Sequence, residues 1–280
     1  MMVEETTGAP GAVGTTQKPV APKAAESPAG APQSSPDATE GTPETQGTAK
    51  PIPLNIEGIE NIIGEGFPIG SCVLLITPPM IEANLFCMEF IYRGILNKEP
   101  GMIITMDHSP EDMKIKALKY GWNMSRGEQA KILKWVDGYS INANKDVKST
   151  DTIKRISGSI ALSDLTIGMS QIQREYHQVS DHYRFIFDSL STLFIYNDAT
   201  TIYRFLRVIV SKLRASGGVG FFTLGEKMHD QQIEMTLRHM MDGTMELTDD
   251  LTLRAQSLPL PIPRKEGKLE LTSRGFKVVG

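Results

Sequence analysis

Cys72-Val73-Leu74-Leu75-Ile76-Thr77-Pro78-Pro79-Met80-Ile81-Glu82-Ala83-Asn84-Leu85-Phe86 is the stretch on which the reading of this 280-residue chain turns. Its first five residues form an uninterrupted apolar run of strand length, the mark of a strand buried on both faces. From Glu82 to Leu96 the apolar residues Leu85, Met88, Phe90, Ile91 and Ile95 recur at helical spacing. Strand, loop and helix in that order begin an α/β sheet, and in open sheets of this kind ligands bind outside the carboxyl ends of the strands. The loop Thr77 to Asn84 is therefore where chemistry is expected.

Working outward, Met102 to Met106 reads as a second buried strand. Ser109-Pro110-Glu111-Asp112 reads as N-cap, proline and acidic first turn of a helix running to about Gly121. Lys131 to Val136 is a third strand, Gly138 to Ser159 is polar and irregular, and an amphipathic helix covers about Ser163 to Gln178. Arg184 to Phe187 is the fourth strand and ends at Asp188. Ile202, Phe205, Leu206, Ile209, Val210 and Leu213 then make a full helix face, and Val219 to Leu224 is a fifth strand. After a helix at about Gln231 to Met241 come short strands near Thr244 to Leu247, Leu251 to Gln256, Lys268 to Leu271 and Phe276 to Val279. The pattern predicts an α/β fold, a central mostly parallel sheet flanked by helices with antiparallel strands at the C-terminal end.

Residues 1–50 are of another kind. They contain no Leu, Ile, Phe, Trp or Tyr, and 33 of them are Pro, Gly, Ala, Ser or Thr. Such a segment buries too little apolar area to offset the entropy of ordering, so a disordered tail, serving as a flexible tether, is expected over 1–50 and one domain over 51–280. The tail removes three Lys and six acidic residues, leaving 26 basic against 27 acidic in the remainder, far from the basic balance that follows a nucleic-acid backbone. Cys72 and Cys87 read as reduced structural thiols, no apolar run approaches bilayer length, and the cytoplasm is the expected location. His108, His177, His182, His229 and His239 include no i, i+4 pair, so no metal site is expected. Core filling accounts for most of the 14 methionines, Met235, Met240 and Met241 among them.

Gly66-Phe67-Pro68-Ile69-Gly70, the first strand and its loop, Phe90-Ile91-Tyr92-Arg93-Gly94, Glu99-Pro100-Gly101, Tyr120-Gly121-Trp122, Phe187-Asp188-Ser189 and the passage Arg204 to Thr223 together resemble the KaiC-like branch of the RecA superfamily. The resemblance covers about residues 54–280. It implies a P-loop ATPase fold and, at Thr77 to Asn84, the pattern G-x-x-x-x-G-K-[ST]. In that pattern glycines let backbone N–H groups face the phosphates, the lysine meets the outer phosphates and the hydroxyl binds magnesium. Here Thr77 and Glu82 stand at the glycine positions, Ala83 at the lysine and Asn84 at the hydroxyl, while Pro78 and Pro79 remove two N–H donors. Loss of one charge contact at about 4 Å removes roughly 4 kcal/mol, about a thousandfold in affinity.

The resemblance also places Asp188 as the carboxylate that positions magnesium and Asp107-His108 where relatives carry a catalytic Glu-Glu pair. Two readings of each stand open. Asp188 is a surviving metal-site carboxylate or caps the turn Ser189 to Phe194; Asp107-His108 is an acid–base pair or an ordinary helix entry. Relatives' inter-subunit Lys-x-Arg pair corresponds to Ser257-Leu258-Pro259, with Arg264-Lys265 too far along. The expectation is a catalytically inactive member with vestigial site residues, needing no cofactor and acting as a regulatory or scaffold subunit. Its partners would be an active homologue or further copies of itself. ATP and magnesium enter only under the alternative of a remodelled loop that still binds nucleotide. A third reading, DNA binding through Arg204, Arg207, Lys212 and Arg214, rests on one helix face and the fold, and nucleic acid is not the expected partner.

Overall fold

The apolar run of the quoted stretch is β1, Cys72–Thr77, and all six residues are buried in the computed structural model, which describes residues 50–78, 83–157, 162–263 and 266–279. Along a strand successive side chains leave on opposite faces. Val73 and Leu75 accordingly enter one core, while Cys72, Leu74 and Ile76 enter the other. The same alternation fills both cores from β2 (Gly101–Thr105) and β3 (Leu133–Asp137). A short β4 (Ile153–Arg155) precedes β5 (Tyr183–Asp188) and β6 (Gly218–Gly225), and β7 (Gly243–Leu247), β8 (Thr252–Ser257), β9 (Glu266–Thr272) and β10 (Gly275–Val279) end the chain. Their order in the sheet is β10-β9-β8-β7-β1-β6-β5-β2-β3-β4. From β7 to β4 in that order neighbours run parallel, and β8, β9 and β10 add antiparallel pairs, as the sequence predicts.

The helices are α1 (Glu60–Ile63), α2 (Ala83–Leu96), α3 (Pro110–Leu118), α4 (Ser125–Gln129), α5 (Ser140–Ala143), α6 (Leu162–Tyr176), α7 (Leu190–Tyr196), α8 (Ala199–Ala215) and α9 (Gln231–Met240). One core packs α2 and α3 with the 52–67 lead-in and the β8–β10 strands against the sheet; the other packs α6 to α9. α3 starts as its sequence dictates, the Ser109 hydroxyl accepting the Asp112 N–H at 3.0 Å, but it ends at Leu118 instead of near Gly121. The stretch 138–159, expected to be irregular, supplies α5 and edge strand β4. Three residues with only Ile153 facing inward are too short to show a period, and pairing with β3 makes them a strand.

Two buried charges fasten the periphery. Arg184, fully buried at the start of β5, donates to the carbonyls of Phe90 (2.8 Å) and Pro53 (2.9 Å) and pairs with Glu99 at 2.5 Å, tying the lead-in to the sheet. Glu89 on α2 accepts the Phe276 N–H at 2.7 Å and pairs with Arg93 at 2.6 Å, holding β10 down. Gly66 must be glycine, because its φ is +124° and a Cβ there would lie 2.2 Å from the Ile52 carbonyl. Among the described residues no helix is long and apolar enough to cross a membrane. Cys72 and Cys87 are both free and buried; burial first, then Asp242, pushes the Cys72 thiol up to about 12.

Candidate functional site at the carboxyl ends of the strands

Each central parallel strand ends on a buried polar residue: Thr77 on β1, Thr105 on β2, Asp137 on β3 and Asp188 on β5, with Thr223 two residues before the end of β6. Parallel register sets Thr105 directly beside Asp188. Asp188, only 5% exposed, receives two neutral donors: the Asn84 amide at 3.1 Å on one oxygen and the Thr223 hydroxyl at 2.9 Å on the other. His108 approaches from the end of β2, its Nδ1 3.9 Å from Asp188 Oδ2 and 3.5 Å from the Asn84 amide nitrogen. Burial, and secondarily the charge of Asp107, holds the Asp188 carboxyl above the usual aspartate range, against the opposing pull of Asn84, Thr223 and His108.

Asp107 is satisfied separately. It accepts the hydroxyls of Ser189, at 2.7 Å, and Thr192, which lie before and within α7. The Asp188 side chain therefore does not cap the 189–194 turn; its oxygens go to α2 and β6, while Ser189 serves Asp107. His108 does lead into α3, its carbonyl accepting the Thr105 hydroxyl at 2.6 Å, and its ring still faces Asp188. Chemically the cluster is a buried carboxyl beside an imidazole, able to hold a proton. Among the described residues no three His, Cys, Asp or Glu side chains are grouped to hold a metal ion.

Of the quoted loop, Thr77 and Pro78 are described and Ala83 opens α2, whereas Pro79 and Glu82 lie outside the described residues, as do Arg264 and Lys265. Ser257 closes β8 and is exposed. On α8, Lys212 donates to Ser170 at 3.0 Å and Arg214 pairs with Asp242 at 2.8 Å, so half of its basic face is used within the chain, while Arg204 and Arg207 are exposed. Of the three methionines near α9, Met241 is buried and Met235 is 52% exposed. Sequence reasoning missed Thr192 and Thr223. A polar residue near the carboxyl end of each apolar run was the available signal for Thr223; Thr192 has none. It also missed Ser191, which accepts the Gly225 N–H at 2.8 Å and meets His229 Nε2 at 2.9 Å. A cavity of about 310 Å3 is lined by His229 together with Ile76, Glu226, Glu246, Thr248 and Arg254.

The sequence and its α/β fold are matched by known proteins. The family model described as "ATPase: KaiC" matches residues 52–263. The chain belongs to the KaiC ATPase family. It is 30% identical over 165 residues to a circadian clock oscillator protein KaiC of Thermostichus vulcanus, covering 58% of this chain and 29% of that protein. A second relative of that name, from Synechococcus elongatus, is 27% identical over 170 residues, covering 60% of this chain and 30% of its own length. The chain thus matches less than a third of those KaiC proteins. The crystal structure of a KaiC-like protein from Pyrococcus horikoshii shares the fold with a TM-score of 0.65 at 17% identity, covering 82% of this chain and 99% of that one.

Proposed function

We propose that this chain is a KaiC-family domain without ATP turnover that serves as a regulatory or scaffold subunit in an intracellular signalling or assembly system, packing against an active family member or another copy of itself. The observation that carries the reading is the state of Asp188: both its oxygens are taken by neutral donors, Asn84 and Thr223. Magnesium–ATP does not fit the residues present. Asn84 sends its amide into Asp188 in place of a hydroxyl toward a cation, position 83 carries no amine, and Pro78 has no N–H to offer a phosphate. The relatives' names as clock oscillator proteins suit a role in regulation. The test is calorimetric titration of the whole chain with ATP, with and without magnesium, beside a turnover assay. No heat and no turnover are expected; turnover that vanishes with Asp188→Ala would overturn the proposal.

A second reading has its own support, the convergence of Asn84, His108 and Asp188. On it the chain is a nucleotide sensor with a rebuilt loop. Saturable, magnesium-dependent heat without turnover would select it.

A further inference from the structure

A cavity of about 700 Å3 lies at the amino end of β1, where Pro68 and Ile69 lead into that strand, beside the segment that leaves β8. Pro51, Pro68, Ile69, Leu260, Pro261 and Pro263 form its apolar walls. Backbone contacts fix these walls before any ligand arrives. Ile52 and Phe67 exchange backbone hydrogen bonds at 2.7 and 3.0 Å, the Pro68 carbonyl accepts the Ser71 N–H at 3.1 Å, and the Pro53 carbonyl accepts from Arg184. Gly64, at φ +78°, closes another side: a Cβ there would lie 3.0 Å from the Pro261 carbonyl oxygen and 3.5 Å from the Pro263 ring. Proline rings have no rotamers to lose, so little ordering opposes binding against them.

The polar part of the lining has one sign. Among the described residues no cationic side chain lines the cavity, and Glu65, which does, is exposed and has no ion-pair or hydrogen-bond partner for its carboxylate. Four of the wall residues are prolines, which keep a carbonyl but have no N–H to donate. Acceptors short of donors, and a carboxylate without a cation, match a ligand that brings positive charge and N–H groups together. From this chemistry we infer that the cavity binds a small organic cation, a primary ammonium or guanidinium carried on an apolar body, its N–H groups directed to Glu65 and its hydrocarbon to Ile69, Leu260 and the prolines. A mostly apolar cavity of this volume with few polar groups suits a drug-sized molecule. A single lysine side chain of a partner protein would leave most of it empty. The inference is independent of the proposed loss of turnover, since this cavity and Asp188 lie at opposite ends of the parallel strands.

The experiment titrates the full chain with three fluorescent probes: dansylcadaverine, an aromatic body with a primary ammonium; its N-acetyl form, which carries no charge; and dansyl-6-aminohexanoate, which carries a carboxylate. Saturable, blue-shifted dansyl emission is expected, with the ammonium probe bound tightest. Glu65→Gln should weaken the ammonium probe by about fivefold, to the level of the acetylated one, and Glu65→Lys should transfer preference to the carboxylate probe. Leu260→Asn should weaken all three probes, because it removes apolar wall. Glu65 is exposed and Leu260 lies outside both cores, and an unchanged thermal unfolding curve checks each variant; Leu260→Ala replaces Leu260→Asn if that one fails to fold. The inference is overturned if no probe saturates, if the ammonium and carboxylate probes bind the parent alike, or if Glu65→Gln binds the ammonium probe undiminished. It is equally overturned if the peptide acetyl-Pro-Leu-Lys-Leu-amide binds and dansylcadaverine does not, which would give the cavity to a partner protein.

Discussion

Asn84 and Asp188 show how one hydrogen bond defines a site. With Asn84→Ala a buried carboxyl oxygen keeps no donor from α2, so a loss of about 1–3 kcal/mol is expected, read as a lower urea midpoint at unchanged slope. Asp188 also makes stability depend on pH. Its native value lies above the ordinary 3.8 of the unfolded chain, chiefly through burial. Between those two values the native state alone holds the proton, so stability falls as pH rises through that window and stays at the lower level above it. Asp188→Asn cannot ionise and keeps the shape; urea titrations across a pH series should find that its stability relative to the parent increases through the same window. A constant difference at all pH values would exclude Asp188 as the group responsible.

Among elements, a buried side chain of α2 helps to hold the C-terminal hairpin, beside the Val278 N–H that donates to the Glu57 carbonyl at 2.8 Å and the packing of Phe276 on Phe86. Glu89 on α2 is buried, takes the Phe276 N–H and pairs with Arg93, and burial holds its carboxyl above the usual range. Glu89→Ala strands an amide donor and a partly buried guanidinium, and about 3–5 kcal/mol of destabilisation is expected. The loss should appear first as faster amide exchange in β10, with the β1, β5 and β6 amides still protected; uniform acceleration across the sheet would contradict a local clamp. The β1, β2, β5 and β6 runs were legible because strands buried on both faces need continuous apolar sequence. β4 was not, because its strand character comes from pairing with β3 and not from its own three residues. α3 was legible at its start, where Ser109 and Pro110 act locally, and not at its end, where no glycine or proline marks the stop at Leu118.

For the whole molecule, the two thiols report global opening. Both are buried, Cys72 with its thiol pushed up to about 12 and Cys87 well above its usual value. Thiol labelling at neutral pH is therefore expected only at the rate of global unfolding, and both cysteines should react together in denaturant; rapid labelling of Cys87 in the native protein would mean that α2 opens on its own. The sequence by itself determined the α/β alternation, the strand runs, the cap of α3 and the absence of a lysine at position 83, since each follows from side-chain chemistry and spacing within a few residues. Tertiary structure alone decided which residues meet at the carboxyl ends of the strands. Asp188 draws one donor from 104 residues before it and another from 35 residues after it, partners set by the order β1-β6-β5-β2. Local periodicity carries no record of that order, which arises only when the crossover helices pack both faces of the sheet.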